Sequence, residues 1–283
     1  MAYEIKLLDL IDIDLDSSFL CLGRGMGEIV TGKTWGFLIL GGDDPILIDT
    51  GAMSTEIMGR LGMVGRIGEG QGMDAQLALH GASIDDVRWI LHTHHHIDHA
   101  GQDERFPHAT VITTRRELEF SASGIMGAQY PPEYVKHHID RLHTPGALRL
   151  LDLQDSGPIE LFPGIVAEHA GGHTEGSMNV LVETAEGAAC ICGDVIYDIQ
   201  DQLVAPFHEV LEGEPHVTGN HAMTKRQEKA AIKKAVNSGT FVLPVHDYPA
   251  RIERGRVVAR LGQSVPGPEK AVEAADASRM VHA

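Results

Sequence analysis

The sequence predicts an α/β protein, and three observations carry that prediction. Short apolar runs closed by Gly, Pro or Asp recur along the chain, and helical segments separate the main groups of these runs. At 283 residues with 43% apolar content, the chain is also long enough to bury a large core.

Residues 35–40 and 46–49 read as two strands joined by the turn-rich Gly41-Gly42-Asp43-Asp44-Pro45, and Thr50-Gly51 closes the second. Residues 73–80 carry a helical pattern. Residues 83–88 lead into a buried strand over 89–93; another strand covers 110–114, and a charged helical segment starts at Arg115. Pro131-Pro132 suits a first turn and opens a helix that ends at Leu142. Strands flank Pro163-Gly164 within 159–169, and 179–183 pairs with 188–192 as a hairpin across 184–187. Thr224 and Gln227 have the spacing of a capping box and open a helix running to about Asn237, stopped by Gly239. Residues 241–245 form the next apolar strand. No linker divides the chain, so one domain over 1–283 is expected, with a polar, loosely ordered tail over 264–283.

Charge and composition exclude several function classes. With 23 Lys+Arg against 40 Asp+Glu the net charge is −17, which leaves little basic surface for phosphates, so no nucleic-acid partner is expected. No run of about 18 uncharged apolar residues exists, so no membrane span is expected. The mixed-charge start Met1-Ala-Tyr-Glu-Ile-Lys shows no secretory signal. Three cysteines, Cys21, Cys190 and Cys192, are too few for a disulfide framework and read as reduced thiols. A cytoplasmic location is the expectation. The anomaly is histidine, of which there are 17.

Those histidines cluster. In Leu91-His92-Thr93-His94-His95-His96-Ile97-Asp98-His99, His94 and His96 stand two apart at a predicted strand end and so share a face. Asp98 and His99 follow where the chain turns. Imidazole nitrogen plus carboxylate oxygen is a Zn²⁺-type donor set, and four such donors within six residues exceed what one tetrahedral ion takes, so two adjacent metals are inferred. Further donors stand at other strand ends: His173 in the glycine-rich Gly171-Gly172-His173, Asp194 after Cys190-Ile191-Cys192-Gly193, and His246 after Leu243-Pro244-Val245.

Taken together, these elements resemble the metallo-β-lactamase superfamily from Trp35 through His246, including Leu47-Ile48-Asp49-Thr50-Gly51. The resemblance implies a four-layer αβ/βα sandwich. It assigns His94, His96 and His173 to one divalent metal, Asp98, His99 and His246 to a second, and Asp194 as the bridge. Zn²⁺ is the default, and Mn²⁺, Fe²⁺ and Co²⁺ accept the same donors. Asp49 would orient a ligand histidine. True β-lactamases lack this complete Asp-His pair and use cysteine at the Asp194 position, so antibiotic hydrolysis is not the leading reading.

Within the superfamily the chain looks most similar to N-acyl-homoserine lactonases, the quorum-quenching branch. Gly193-Asp194-Val195-Ile196-Tyr197 places a tyrosine where those enzymes keep a phenol against the substrate carbonyl; the alternative is that Tyr197 packs in the core. The insertion holding Tyr130-Pro131-Pro132-Glu133-Tyr134 also fits. The implied reaction is attack of a metal-bridging hydroxide on a lactone, with Tyr197 polarising the carbonyl and Asp98 passing a proton to the leaving alkoxide. A small lactone or ester is the expected partner, and the resemblance allows a homodimer. The alternatives are a thioester hydrolase resembling glyoxalase II and a mononuclear-iron persulfide dioxygenase.

Other histidines receive plainer readings. His92 and His95 read as structural or as supports for the ligands, and His169 is open between a supporting role and packing. His137, His138 and His143 belong to a surface helix and are expected to be solvated. Cys192 reads as a small buried hydrophobe, and Arg251, Arg254 and Arg256 as salt-bridged surface.

Overall fold

The structure, a computed structural model, describes residues 2–205, 214–220 and 222–272. Among these, the first sheet contains β1 (Glu4–Asp16), β2 (Ile29–Leu40), β3 (Ile46–Ile48), β4 (Val64–Arg66), β5 (Trp89–Leu91), β6 (Thr110–Thr114) and β7 (Leu148–Leu151). The second contains β8 (Ile159–Phe162), β9 (Ile165–His169), β10 (Met178–Thr184), β11 (Gly187–Gly193), β12 (Phe241–Pro244), β13 (Ala250–Glu253) and β14 (Arg256–Leu261). Two short late strands, β15 (Ser264–Val265) and β16 (Glu269–Lys270), complete one sheet each. The strand orders are β15-β1-β2-β3-β5-β6-β7, with β4 on β1, and β16-β14-β13-β12-β11-β10-β9-β8. Pairing is parallel through β3, β5, β6 and β7 and between β11 and β12, and antiparallel elsewhere.

Strand alternation builds the layers. Neighbouring residues such as Leu7 and Leu8, Phe37 and Leu38, or Ile48 and Leu47 point to opposite faces. Leu7, Phe37 and Ile48 join Val180, Ile191 and Leu243 of the other sheet in the central core. Leu8, Leu38 and Leu47 pack outward with Met73 and Leu77 of α1 (Met73–Leu79). Helices α2 (Arg115–Ala122) and α3 (Pro132–Leu142) lie against β6 and β7 of the first sheet. On the second sheet, Cys190, Cys192 and Val242 point away from the core and meet Ala231, Ile232 and Ala235 of α4 (Lys225–Asn237). The result is the αβ/βα sandwich. Thr224 and Gln227 form the expected capping box at the start of α4.

Four expectations need correction. From the sequence no element is assigned before residue 35, yet β1 pairs along the whole of β2, the longest pairing of the first sheet; β1 is anchored by alternating Ile11, Ile13 and Leu15. The strand expected over 89–93 ends at Leu91, because the chain then turns to deliver its histidines. The expected loose tail is in part built in: β15 pairs with β1 and β16 with β14, satisfying edge hydrogen bonds, while 273–283 lie outside the described residues. Finally, α3 turns His138 inward, where it is 1% exposed; His137 is half-buried and only His143 is exposed as expected.

Candidate metal centre

Strand ends supply the donors. Asp49 follows β3, the 92–99 segment follows β5, Asp194 follows β11 and His246 lies just past β12; His173 hangs on the turn between β9 and β10. Because β3 and β5 run parallel, as do β11 and β12, their carboxyl ends gather at one edge of the sandwich. Gly193 makes the last turn possible. Its φ is 56°, and a Cβ there would stand 2.6 Å from Thr93 Oγ1, so the chain swings Asp194 off the line of Cys192 only with glycine.

Two groups of side chains converge. His94, His96, His173 and Asp194 offer ligand atoms within 4.8 Å of one another, as do Asp98, His99 and His246. In the first, His94 Nε2 lies 3.1 Å and His173 Nε2 2.9 Å from His96 Nδ1. Asp194 stands between the groups. Its Oδ2 is 3.6 Å from His173 Nε2, 3.7 Å from His94 Nε2 and 3.3 Å from His246 Nε2, while Oδ1 is 3.2 Å from His99 Nε2. Asp98 faces His99 at 3.7 Å and His246 at 3.5 Å.

The donor chemistry fits a pair of cations. His99 Nε2 and Asp194 Oδ1 are buried without a hydrogen-bond partner among the described residues. Such orphaned polar atoms are costly unless something binds them. Burial and mutual repulsion hold His94 and His96 well below the usual imidazole range, and burial brings His173 down to about 4, so all three keep lone pairs for a metal. Burial opposes charge on His99 and His246 too, but the Asp194 and Asp98 carboxylates outweigh it and raise both. Protons held there are what a cation displaces.

The ring tautomers are set from behind. Nδ1 of His99 donates to Asp49 Oδ2 at 2.9 Å, Nδ1 of His173 to the Asn220 carbonyl at 2.9 Å, and Nδ1 of His246 to the Lys33 carbonyl at 2.7 Å. Each bond leaves Nε2 free to face the centre, the arrangement that metal-ligating histidines require. Asp49 sits at φ 56° and also accepts from Thr93 N and Oγ1, so its neighbours hold it in a strained conformation. Asn220 and Lys33 carry no sequence signal of this role.

Tyr197 is 3% exposed and stacks on His246 with ring centroids 4.7 Å apart and planes at 6°. Asn220 Nδ2 donates to its hydroxyl at 3.0 Å. Burial and the negative Asp194 and Asp98 push the phenol well above its usual range, so it stays an O–H donor. Beside it opens a narrow pocket walled by Ile13, Leu15, Phe19, Met58, Leu61 and Met63, with the neutral amides of Gln129 and Asn220; Asp98 and His246 form its floor. A bulge between Asp9 and Ile11 interrupts β1, and beyond it Ile13 and Leu15 line this pocket. Cys192 stays under α4, away from it. His169 bonds to Gln154 and the Glu175 carbonyl and supports none of the candidate ligands.

Residues 30–246 match the sequence profile of the Metallo-beta-lactamase superfamily. An N-acyl homoserine lactonase from a Bacillus species is 29% identical over 168 residues, 56% of this chain and 61% of that relative, so the chain spans about three fifths of its length. The N-acyl homoserine lactonase AttM of Azorhizobium caulinodans is 29% identical over 185 residues, 64% of this chain and 66% of its own. Among solved structures, a probable metal-dependent hydrolase from Staphylococcus aureus aligns with TM-score 0.69 at 18% identity, covering 91% of this chain and 96% of its own. AidC, described as a dizinc quorum-quenching lactonase, aligns with TM-score 0.63 at 17% identity over 96% and 95% of the two chains.

Proposed function

The chain belongs to the Metallo-beta-lactamase superfamily, and from that premise we propose that it is a dinuclear metal-dependent hydrolase that opens N-acyl-homoserine lactones or closely related cyclic esters. His94, His96 and His173 would hold one cation, Asp98, His99 and His246 the other, with Asp194 reaching both. Zinc is the metal expected of this nitrogen–oxygen set. Bound there, two divalent ions supply Lewis acidity and a water acidified enough to serve as nucleophile at neutral pH.

The protein's own groups do the rest. The Tyr197 oxygen accepts from Asn220, and its hydrogen, which faces Asp194, would turn to a substrate carbonyl oxygen in the pocket once that carboxylate holds cations, and would hold the charge that develops there. Asp98, on the pocket floor, would carry a proton to the departing alkoxide. The observation that carries the lactone reading is the pocket itself: its walls are aliphatic, thioether, aromatic and neutral amide. An acyl chain suits such walls. The carboxylates of a glutathione conjugate would find no lysine or arginine among the pocket's described lining residues. The lactonase relatives point the same way.

Metal analysis of the purified protein, paired with a panel of acyl-homoserine lactones, glutathione thioesters and aryl esters, tests the reading. Two metal equivalents with lactone ring opening as the preferred reaction are expected. One equivalent of iron with oxygen uptake, or preference for the thioester, would overturn it.

A further inference from the structure

A second polar cluster lies behind the candidate centre, wholly inside the protein. His92, Asp103 and His138 are each 0–1% exposed, as are Asp49 and His99. Their contacts form one line. His138 Nε2 donates to Asp103 Oδ2 at 3.1 Å, and His92 Nε2 faces the same carboxylate at 2.9 Å. On its other side His92 Nδ1 reaches Asp49 Oδ1 at 3.3 Å, and Asp49 Oδ2 takes His99 Nδ1 at 2.9 Å. Thr50 Oγ1 closes the remaining oxygen of Asp103 at 3.0 Å.

Carboxylates only accept hydrogen bonds, so His92 between Asp49 and Asp103 donates at both ends and ties them together. The line is anchored at its far end. Arg141, one turn beyond His138 on α3, donates to the carbonyls of Asp103 at 2.7 Å, Phe106 at 2.9 Å and Ala109 at 2.8 Å, fixing the segment that carries Asp103. Burying this much polarity is costly unless its members are partnered, and from His138 Nε2 to His99 Nδ1 each facing atom is; His138 Nδ1, at the far end, has no hydrogen-bond partner among the described residues. Here the geometry ends on a candidate ligand: Asp49, held at φ 56°, aims His99 Nε2 at Asp194.

We propose that His138–Asp103–His92–Asp49 is a positioning relay that fixes His99 directly, and through it the affinity of the second metal position, and that reaches the first position less directly, through Thr93 Oγ1 between Asp49 Oδ2 and His94 Nδ1. His92 and Asp103 are thus positioning residues. The inference rests on the dinuclear reading above. The three-residue cluster also has the composition of a metal site, but its nitrogen–oxygen separations of 2.9–3.1 Å are hydrogen-bond lengths, and both His92 nitrogens already face carboxylates.

The test is cobalt(II) titration of the full-length metal-free protein, followed by visible absorption, for the unaltered chain, Asp103→Asn and His92→Phe. The unaltered chain should take two equivalents. Both variants should bind the second equivalent at least tenfold more weakly, with an altered spectrum and a larger loss than at the first, the usual scale for lost outer-shell partners. Fewer than two equivalents on the unaltered chain overturns the dinuclear reading and the relay with it. Unchanged second-site affinity in both variants overturns the relay alone, and so does a third equivalent that Asp103→Asn abolishes. Should both substitutions prevent folding, the unaltered protein still decides: with ¹⁵N-labelled histidine, one buried imidazole must stay protonated at both nitrogens in the two-zinc protein, and so be no metal ligand, and must shift between the one-zinc and two-zinc states. Absence of that ring overturns the relay.

Discussion

Asn220 holds Tyr197 and His173 at once, by different parts of the same residue. Its side-chain Nδ2 donates to the phenol at 3.0 Å, and its backbone carbonyl accepts from His173 Nδ1 at 2.9 Å. Gln129 Nε2 in turn donates to Asn220 Oδ1 at 3.0 Å, which fixes the amide's orientation. One residue therefore orients a candidate metal ligand through its main chain and a candidate catalytic phenol through its side chain.

That division can be separated by mutation. Tyr197→Phe should keep two metal equivalents and a normal fold, because a phenyl ring still stacks on His246. Its kcat on lactones should fall about 100-fold, the scale of losing one donor to a developing oxyanion. Asn220→Ala leaves the carbonyl under His173, so metal content should again be unchanged while kcat falls about tenfold. Metal analysis beside steady-state kinetics checks both; loss of metal in either variant would contradict the assignment.

Asp194→Asn should behave oppositely. An amide can coordinate through one oxygen only and puts a nitrogen donor against either His99 or His246, which stand 3.2 and 3.3 Å away. Metal content should drop below two equivalents and activity should fall by about 1,000-fold or more, roughly 4 kcal/mol in barrier. A variant with both metals and full turnover would remove Asp194 from the bridge.

Leu61 lines the pocket and is only half-buried, so Leu61→Trp narrows the pocket with modest strain on the core. KM for a ten-carbon acyl lactone should rise about tenfold, while that for a four-carbon one should change less than twofold. Equal effects on both would place the acyl chain elsewhere.

The cysteines give a pH prediction. Burial pushes the Cys21 thiol up to about 12 and raises Cys190 and Cys192 as well. All three should be unreactive toward a thiol reagent at pH 8 in the folded protein and react together once denatured. A folded-state thiol pKa raised above its unfolded value contributes stability that is complete below about 9 and is lost as pH rises through about 12. Denaturation midpoints should therefore decline across that alkaline window. Rapid labelling of any one cysteine in the native state would contradict the burial.

The first group of candidate donors was legible because it is local: His94, His96, Asp98 and His99 fall within six residues, and strand period 2 with the following turn already relates them. His173, Asp194 and His246 were legible because each stands by glycine or an apolar run that ends a strand. His138 was not. The buried stripe of α3 is Tyr134, His138 and Arg141, spaced four and three apart as a helical face should be, but polar, so an apolar pattern cannot reveal it. The N-terminal strand does carry its signal, alternating Ile11-Asp12-Ile13-Asp14-Leu15-Asp16, although only pairing with β2 and β4 shows that it walls the pocket.

By itself, then, the order of residues determined which side chains have metal-binding chemistry and that a strand-and-helix scaffold presents them, since both follow from residue type and short-range spacing. Tertiary structure alone decided what stands behind those side chains. The Lys33 carbonyl under His246, 213 residues away, Asn220 under His173, and Asp103 between His92 and His138 are contacts made by backbone groups or by residues common anywhere in a chain. Hydrogen-bond partners of that kind are chosen by the closing of two sheets on one another, and no local pattern encodes them.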